Sequence, residues 1–464
     1  MIVRFMVGGT YMIINSRSLK LVQECFEESG NRLIMLYGQK HSEKETLMRE
    51  FLKDKKYFYY RCRPASELEQ SRMMGEEISE QFDAKLAPQS YEEYFKRVKS
   101  GGPEKLVIWI DEAQYVMKKD PSFWEAVLKL RARRLYPGPV LIILSSSSIV
   151  WCEQDVKEES PQIAAKIDRW IKLDDLNFLE VVRAFPDYSV RESIQIYGVL
   201  GGVPGYLNLW NVEESYKENI CRLVLSPKGD LFNEVQDILG LELRELSVYN
   251  TILSAIAQGY NKLNDLFLYT GMSRAKISVY MKNLAHFDIV EKVVSFETGG
   301  WENAKKGVYQ IKNTFVNFWF KFIYSHQSQL YTLSSEDFYD TYIALELENY
   351  LNRYFRNVCM EYLSLLNQMG RLPVKVNKMG TWIGKKGHID IVAQSTARER
   401  IVAVCNWENP ALTVDMVQEM FLAMKQAKIQ AEHYYLFSAK AFAPALVALA
   451  KEDRRFELID MNEL

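Results

Sequence analysis

Residues 37-YGQKHSEKETLMREFL-52 follow an apolar run, Leu33 to Leu36, and open a segment with helical character. Strand, loop, helix is the setting of a phosphate-binding loop, whose pattern is G-x-x-x-x-G-K-[ST]. Backbone amides of such a loop wrap a phosphate, its lysine neutralises the outer charges, and the helix that follows aims its N-terminus at the anion. Gly38 and Lys44 have the required spacing. Glu43 stands at the second glycine and Glu45 at the metal-binding hydroxyl. Thr46 lies one residue further on, which turns its side chain by about 100° around the helix axis. A glycine and a lysine at a fixed interval are common, so the loop needs support from elsewhere in the chain.

That support comes from 106-LVIWIDEAQ-114, an apolar strand ending in Asp111 and Glu112. An acid at that end of a strand can hold Mg²⁺, and the next can orient an attacking water. The gap from Lys44 to this pair suits two strands of one sheet with their C-terminal ends together. Alone, the segment reads as a buried strand with a solvated acidic turn; beside Gly38 and Lys44 it reads as the second half of a nucleotide site. The strand 140-VLIILSSSSIV-150 ends in four serines, of which Ser147 is the candidate sensor of a terminal phosphate, with a plain serine-rich turn as the alternative.

Up to about residue 210, short apolar strands (33–36, 57–61, 106–110, 140–145) alternate with helical patterns such as Ser122 to Arg134 and Asp187 to Val199. Such alternation predicts a parallel α/β sheet with both faces covered. Between about 215 and 330 the pattern becomes helix, helix, helix and two strands, 291-EKVVSF-296 and 307-GVYQIK-312, joined through Gly299-Gly300, the order of a winged helix. A third, small α/β unit has a helix from Leu345 to Leu366. Strands follow at Pro373 to Val376, 388–393, 400–407 and 434–439, with a helix around 414–428. The expected divisions are a P-loop domain over 12–210, a helical lid and linker over 211–245, a winged helix over 246–330 and the third unit over 335–464.

The chain has 464 residues, 48% hydrophobic and 25% charged, with a formal net charge of −2. Its global charge therefore draws it to neither nucleic acid nor membrane; local patches must do so. Six scattered cysteines form no C-x-x-C pair, which argues against zinc and for free thiols in a reducing cytoplasm. No apolar run approaches the ~20 residues that cross a bilayer. The opening MIVRFMVGGTYMIIN reads as a first strand or as an over-long start, with Met12 the alternative first residue.

The loop, WIDEAQ, LIILSSSS and 198-GVLGGVPGYLNLW-210, taken together and in this order, resemble the archaeal-type P-loop ATPases, relatives of AAA+ and STAND enzymes. The resemblance extends over nearly the whole chain, and Gly201-Gly202-Val203-Pro204-Gly205-Tyr206-Leu207 carries it most specifically against the family pattern GGxPxYL. It implies ATP and Mg²⁺ as ligands. Gly38, Lys44 and Thr46 fall at nucleotide-binding positions, Asp111 at the metal position, and Glu112 and Ser147 at catalytic ones. It also implies an arginine in a SPLYGR-like segment. Here 160-SPQIAAKIDR-169 leaves Lys166 and Arg169 as alternatives. The third unit would correspond to the family's restriction-endonuclease-like domain, which carries a glutamate after a helix phenylalanine, then EID and ECK on successive strands. This chain has Phe355-Arg356, His388-Ile389-Asp390 and Val404-Cys405-Asn406, so only Asp390 survives as a metal ligand. Glu408 is a candidate migrated acid and His388 a candidate ligand beside Asp390.

The departures fall on chemistry rather than scaffold. A carboxylate about 4 Å from a phosphate charge costs on the order of 4 kcal/mol at an effective dielectric near 20, roughly a thousandfold in affinity. Glu43 and Glu45 therefore predict weak or absent ATP binding and little hydrolysis, unless they face solvent or pair with Lys40, His41 or Lys44. Metal-dependent DNA cleavage needs clustered carboxylates, so the third unit is expected to be inactive. On the third winged-helix segment, 273-SRAKISVYMKN-283, Arg274, Lys276 and Lys282 are candidate phosphate contacts, with Ser273 and Ser278 as helpers. Winged helices serve protein contacts as well, so the expected partner is DNA or another protein; oligomerisation stays open. An active Mg²⁺-dependent ATPase coupled to DNA processing, and a non-enzymatic winged-helix regulator, are the competing readings.

Overall fold

The computed structural model describes residues 3–7, 10–82, 90–98, 102–132, 136–296, 307–384 and 387–464. The turn expected at Gly299-Gly300 and the last residues of the helix expected to reach Arg134 lie outside them. The chain divides into two compact units, Met1–Leu176 with Val203–Asn208, and Asn177–Gly202 with Leu209–Leu464.

The first unit opens with an antiparallel hairpin, β1 (Val3–Val7) and β2 (Thr10–Ile14). Asn208 clamps β2 at Ile13, accepting from its N–H at 2.7 Å and donating to its carbonyl at 3.2 Å. Behind it lies a five-stranded parallel sheet of β3 (Arg32–Tyr37), β4 (Tyr57–Arg61), β5 (Leu106–Asp111), β6 (Val140–Ser146) and β7 (Arg169–Lys172), in the order β4-β5-β6-β3-β7. Successive side chains alternate between its two faces. Ile34, Leu36, Val107, Trp109, Leu141 and Ile143 pack against helices α1 (Ser16–Glu27) and α2 (Lys44–Leu52). Leu33, Met35, Ile108, Ile110, Ile142 and Leu144 pack on the other side, against α3 (Glu67–Phe82) and the helices Tyr91–Arg97 and Pro121–Ala132. Burial on both faces is why these strands read as continuous apolar runs. The loop after β3 and the acids after β5 consequently open at the same, C-terminal edge of the sheet, where ligands bind in open α/β folds.

In the second unit, helices Leu246–Ala257, Leu263–Thr270 and Arg274–His286 precede a two-stranded antiparallel sheet of β8 (Val290–Val294) and β9 (Gly307–Ile311), the element order of a winged helix. Further on, the 25-residue helix Ala344–Gln368 leads into a mixed sheet. Its strands are β10 (Val376–Ile383), β11 (His388–Ser395), β12 (Arg400–Asn406), β14 (His433–Ser438) and β16 (Phe456–Asp460), in that spatial order. The β10-β11-β12 steps are antiparallel and the β12-β14-β16 steps parallel. A small pair, β13 (Ala411–Leu412) and β15 (Ala441–Phe442), sits beside them, and helix Val414–Ala427 covers one face through Val417, Met420 and Met424. The strand expected at Pro373 to Val376 instead starts at Val376. Pro373 has no N–H for a ladder, and Asn367 pins the strand's first residue by accepting from the Val376 N–H at 2.8 Å and donating to its carbonyl at 2.9 Å.

Candidate nucleotide site

Loop 38–43 is built tightly. A Cβ on Gly38 would lie 2.9 Å from both the Cβ and the carbonyl oxygen of Leu173, so glycine alone lets the loop close against the chain after β7. Two non-glycine residues adopt left-handed backbone here, His41 at φ +64° and Glu43 at φ +60°, a conformation that costs an L-residue roughly 1–2 kcal/mol. Glu112, after β5, is a third at φ +52°. Strain gathered at one place marks a site rather than a random turn. The segment 203–208 sits directly on the loop. Gly205 N–H donates to the His41 carbonyl at 2.9 Å, the His41 and Tyr206 rings are 5.3 Å apart, and a Cβ on Gly205 would meet His41 Cβ at 2.7 Å.

Lys44 is buried, and its ammonium donates to the carbonyls of Gly38 at 3.1 Å and Gln39 at 3.4 Å. Burial lowers its pKa, opposed by the charges of Glu112 and Asp111. Beside it the Ser42 hydroxyl is buried with no hydrogen-bond partner among the described residues, an arrangement that native interiors avoid unless something else fills the gap. A glycine cradle, a buried cation and an orphan hydroxyl fit a phosphate.

The acids are arranged differently from the sequence-based expectation. Glu45 pairs across the loop with a residue not expected for it: its Oε1 lies 2.6 Å from Arg61 Nη1, at the end of β4. Arg61 also faces Asp111, with Nε 3.6 Å from Oδ2, because parallel pairing sets Arg61 opposite Asp111 in register. Burial would lower the Arg61 pKa, but Asp111 and Glu45 outweigh it and raise it. Asp111 accepts on Oδ1 from Ser145 Oγ at 2.6 Å, and Ser145 accepts from the indole N–H of Trp109 at 2.7 Å. Burial raises the Asp111 pKa, with the Ser145 hydrogen bond working against it. Thr46 donates its hydroxyl to Glu43. Glu112 Oε2 accepts from Ser147 Oγ at 2.6 Å and from Gln114 Nε2 at 2.5 Å. The structure thus brings Gly38, Lys44, Thr46, Asp111, Glu112 and Ser147 to one sheet edge. Arg61, Ser145 and Trp109 went unnoticed in the sequence, although an arginine ending an apolar strand was a visible signal.

The residues do not fit Mg²⁺ in the manner of a P-loop. Such a metal needs a hydroxyl after the lysine and an acid free to reach it through water. Here the first position is Glu45, the nearby hydroxyl of Thr46 is given to Glu43, and Asp111 already faces a guanidinium. Among the described residues no group of three or more metal-ligating side chains gathers into a metal site.

In the carboxy-terminal sheet, Asp390 Oδ1 lies 3.2 Å from His388 Nε2 and 3.5 Å from Arg356 Nη1, while Oδ2 accepts from the Cys405 N–H at 2.9 Å. Burial would raise the Asp390 pKa, but His388 and Arg356 overcome it and lower it. The hydrogen bond to Asp390 raises the pKa of His388. Asn406 is buried and bonded to Asn409 and Ser438. Glu408 accepts from Asn352 at 3.0 Å. On helix Arg274–His286, Arg274 donates to Asn264 at 2.5 Å and stacks over Phe267 at 4.1 Å, and Lys276 lies 5.6 Å from the Tyr280 ring. Ser273 caps its own helix and Ser278 donates to the Arg274 carbonyl, so these hydroxyls are committed to the helix itself. Lys276 and Lys282 are exposed.

A parallel sheet with a glycine-lysine loop after one strand and an acid pair after another defines the P-loop ATPase class. Residues 16–209 match the family described as an ATPase domain predominantly from Archaea, and residues 319–426 match a family described as Archaea bacterial proteins of unknown function. An uncharacterized protein of Methanocaldococcus jannaschii is 26% identical over 379 residues, 81% of this chain and 82% of its own length. Among solved structures, the Walker-type ATPase of Pyrococcus abyssi is 20% identical with a TM-score of 0.43, over 66% of this chain and 95% of that one. The ORC2 protein of Aeropyrum pernix, solved as ADPNP-ADP complexes, is 11% identical with a TM-score of 0.43, over 68% and 92%. No helix among the described residues is long and apolar enough to cross a membrane.

Proposed function

We propose that the chain is a nucleotide-binding protein of the archaeal-type ATPase group that binds ATP weakly, hydrolyses little or none of it, and acts by holding a partner. The observation that carries this is the split within one site. Gly38, the unpartnered Ser42 hydroxyl and buried Lys44, whose ammonium rests on the Gly38 and Gln39 carbonyls, keep the elements of a phosphate cradle, while Thr46 is tied to Glu43 and Glu112 to Ser147 and Gln114. Catalysis in this class is positioning plus electrostatic stabilisation, so loss of the metal-facing groups lowers turnover more than binding. In this reading Gly38, Lys44 and Thr46 line the nucleotide, Asp111 is the former metal acid, and Glu112 and Ser147 are the former water-orienting and sensing residues. ATP is the ligand, and Mg²⁺ contributes little. The domains are 12–210, 211–245, 246–330 and 335–464, the last an inactive nuclease-like unit whose Asp390 has become a partner for His388 and Arg356.

The partner is a protein or DNA held by the winged-helix segment. Residues 246–312 contain seven Lys, one Arg, two Asp and three Glu, a net +3 that suits DNA. Against that, Arg274 is taken up by Asn264 and Phe267, and Leu268, Tyr269 and Val279 are exposed apolar side chains on the same two helices. Exposed apolar side chains favour a protein surface, so protein contact is the stronger reading, with Lys276 and Lys282 as its DNA-facing alternative. The test is calorimetric titration of MgATP together with a phosphate-release assay. Binding that disappears in Lys44→Ala, with no release above background, is expected; turnover abolished by Lys44→Ala would overturn the reading.

A further inference from the structure

Glu45, Arg61 and Asp111 beside the loop form a pattern that a metal-dependent site does not need. Glu45, half-exposed, reaches across to Arg61 at 2.6 Å. Arg61 in turn points its Nε at Asp111, whose side chain is only 2% exposed. An exposed pair such as Glu45–Arg61 is worth under about 1 kcal/mol by itself. The buried carboxylate is therefore the anchor, because an uncompensated charge there is expensive to leave. Strand register fixes this meeting, since Arg61 is paired with Asp111 and the Cys62 N–H donates to the Asp111 carbonyl at 2.9 Å. The guanidinium thus lies between the acid at the end of β5 and the residue that follows the loop lysine. A hydroxyl-bound divalent cation would have to lie between those same two positions.

We infer that Arg61 is the built-in cation of this site, standing in for a divalent metal between Glu45 and Asp111, so that nucleotide binds with an affinity indifferent to Mg²⁺. This deepens the proposed function and rests on it. Arg61 acts through the two acids, making it a positioning residue. Its single charge only partly replaces a dication. Lys44 and Arg61 both lie among the charges of Asp111, Glu112 and Glu45, so metal-free ATP meets carboxylates at this site and binds weakly. The substitution is also self-consistent in sequence: a glutamate where a hydroxyl should bind metal would be a defect alone, but is a partner once an arginine ends β4.

The experiment titrates ATP into the full chain in EDTA and again in excess MgCl₂, for the wild type, Arg61→Ala and Arg61→Lys, with thermal unfolding of each to confirm the fold. The wild type should show the same Kd within about threefold in both buffers. Arg61→Ala should bind at least tenfold more tightly with Mg²⁺ than without, because Glu45 and Asp111 are then free to take the metal, and Arg61→Lys should restore indifference. A wild-type Kd that improves tenfold or more with Mg²⁺, or an Arg61→Ala variant as indifferent as the wild type, overturns the inference while leaving nucleotide binding intact. Absence of ATP binding in either buffer overturns the proposed function as well, which separates the two failures.

Discussion

Replacing Glu43 by glycine separates the two effects this residue has on the loop. Its φ of +60° costs a non-glycine residue roughly 1–2 kcal/mol, which glycine would recover. Against this stand about 0.5–1 kcal/mol for the extra freedom of glycine in the unfolded chain and about 1 kcal/mol for the lost hydrogen bond from Thr46. These nearly cancel, so Tm should stay within about 4 °C of the wild type, given about 2–4 °C per kcal/mol for a unit of this size. The effect on affinity should be larger. A carboxylate at contact distance costs on the order of 4 kcal/mol. Glu43 is half-buried and engaged with Thr46, so about a third to two-thirds of that is a reasonable share, a gain of roughly 10- to 100-fold in ATP affinity on removal. Calorimetric titration of ATP into both proteins, with Tm measured on the same samples, reads both quantities. An unchanged Tm with unchanged or weaker affinity would show that Glu43 does not face the phosphate, and the account of the loop as a nucleotide site with misplaced acids would fail.

Three further outcomes follow from the geometry. Gly205→Ala places a Cβ 2.7–2.9 Å from His41 and Glu43 atoms; it should cost about 1–3 kcal/mol in urea unfolding and weaken nucleotide binding by moving the loop. Ser145→Ala leaves buried Asp111 and the Trp109 indole N–H without their shared partner and should lose about 2–4 kcal/mol, measured the same way. His388 has a raised pKa and Asp390 a lowered one. The histidine's contribution is therefore complete below its unfolded value of about 6.5 and fades as pH rises through the higher folded value, whereas the aspartate's is lost only as pH falls below about 4. The wild-type Tm should drop as pH rises above about 6.5, and His388→Gln should flatten that drop; a parallel drop in both proteins would refute the pairing.

Much of the scaffold was legible because burial left simple marks. β3, β5 and β6 are covered on both faces, and their apolar runs in the sequence match the strands to within a residue at either end. β7, only four residues with charged ends, left no such mark and went unseen. The strand before Val376 was misplaced because its start is set by the Asn367 side chain, from a helix nine residues earlier. The loop's weak point was legible too: glycine is expected at position 43, and Glu43 does adopt the left-handed backbone that a glycine would. The partners of the acids were not, since the pairing of Arg61 with Glu45 and Asp111 depends on β4 lying beside β5, a register that short-range patterns do not encode. Likewise the commitment of Arg274 to Asn264 and Phe267 becomes visible only when the two helices are packed.

The central claim, a phosphate cradle that outlived its hydrolytic machinery, is tested most directly by measuring phosphate release and ATP binding on the same preparation of wild type and Lys44→Ala. The account predicts ATP binding that is lost in Lys44→Ala, and phosphate release indistinguishable between the two proteins. Mg²⁺-dependent release by the wild type that Lys44→Ala abolishes would contradict it.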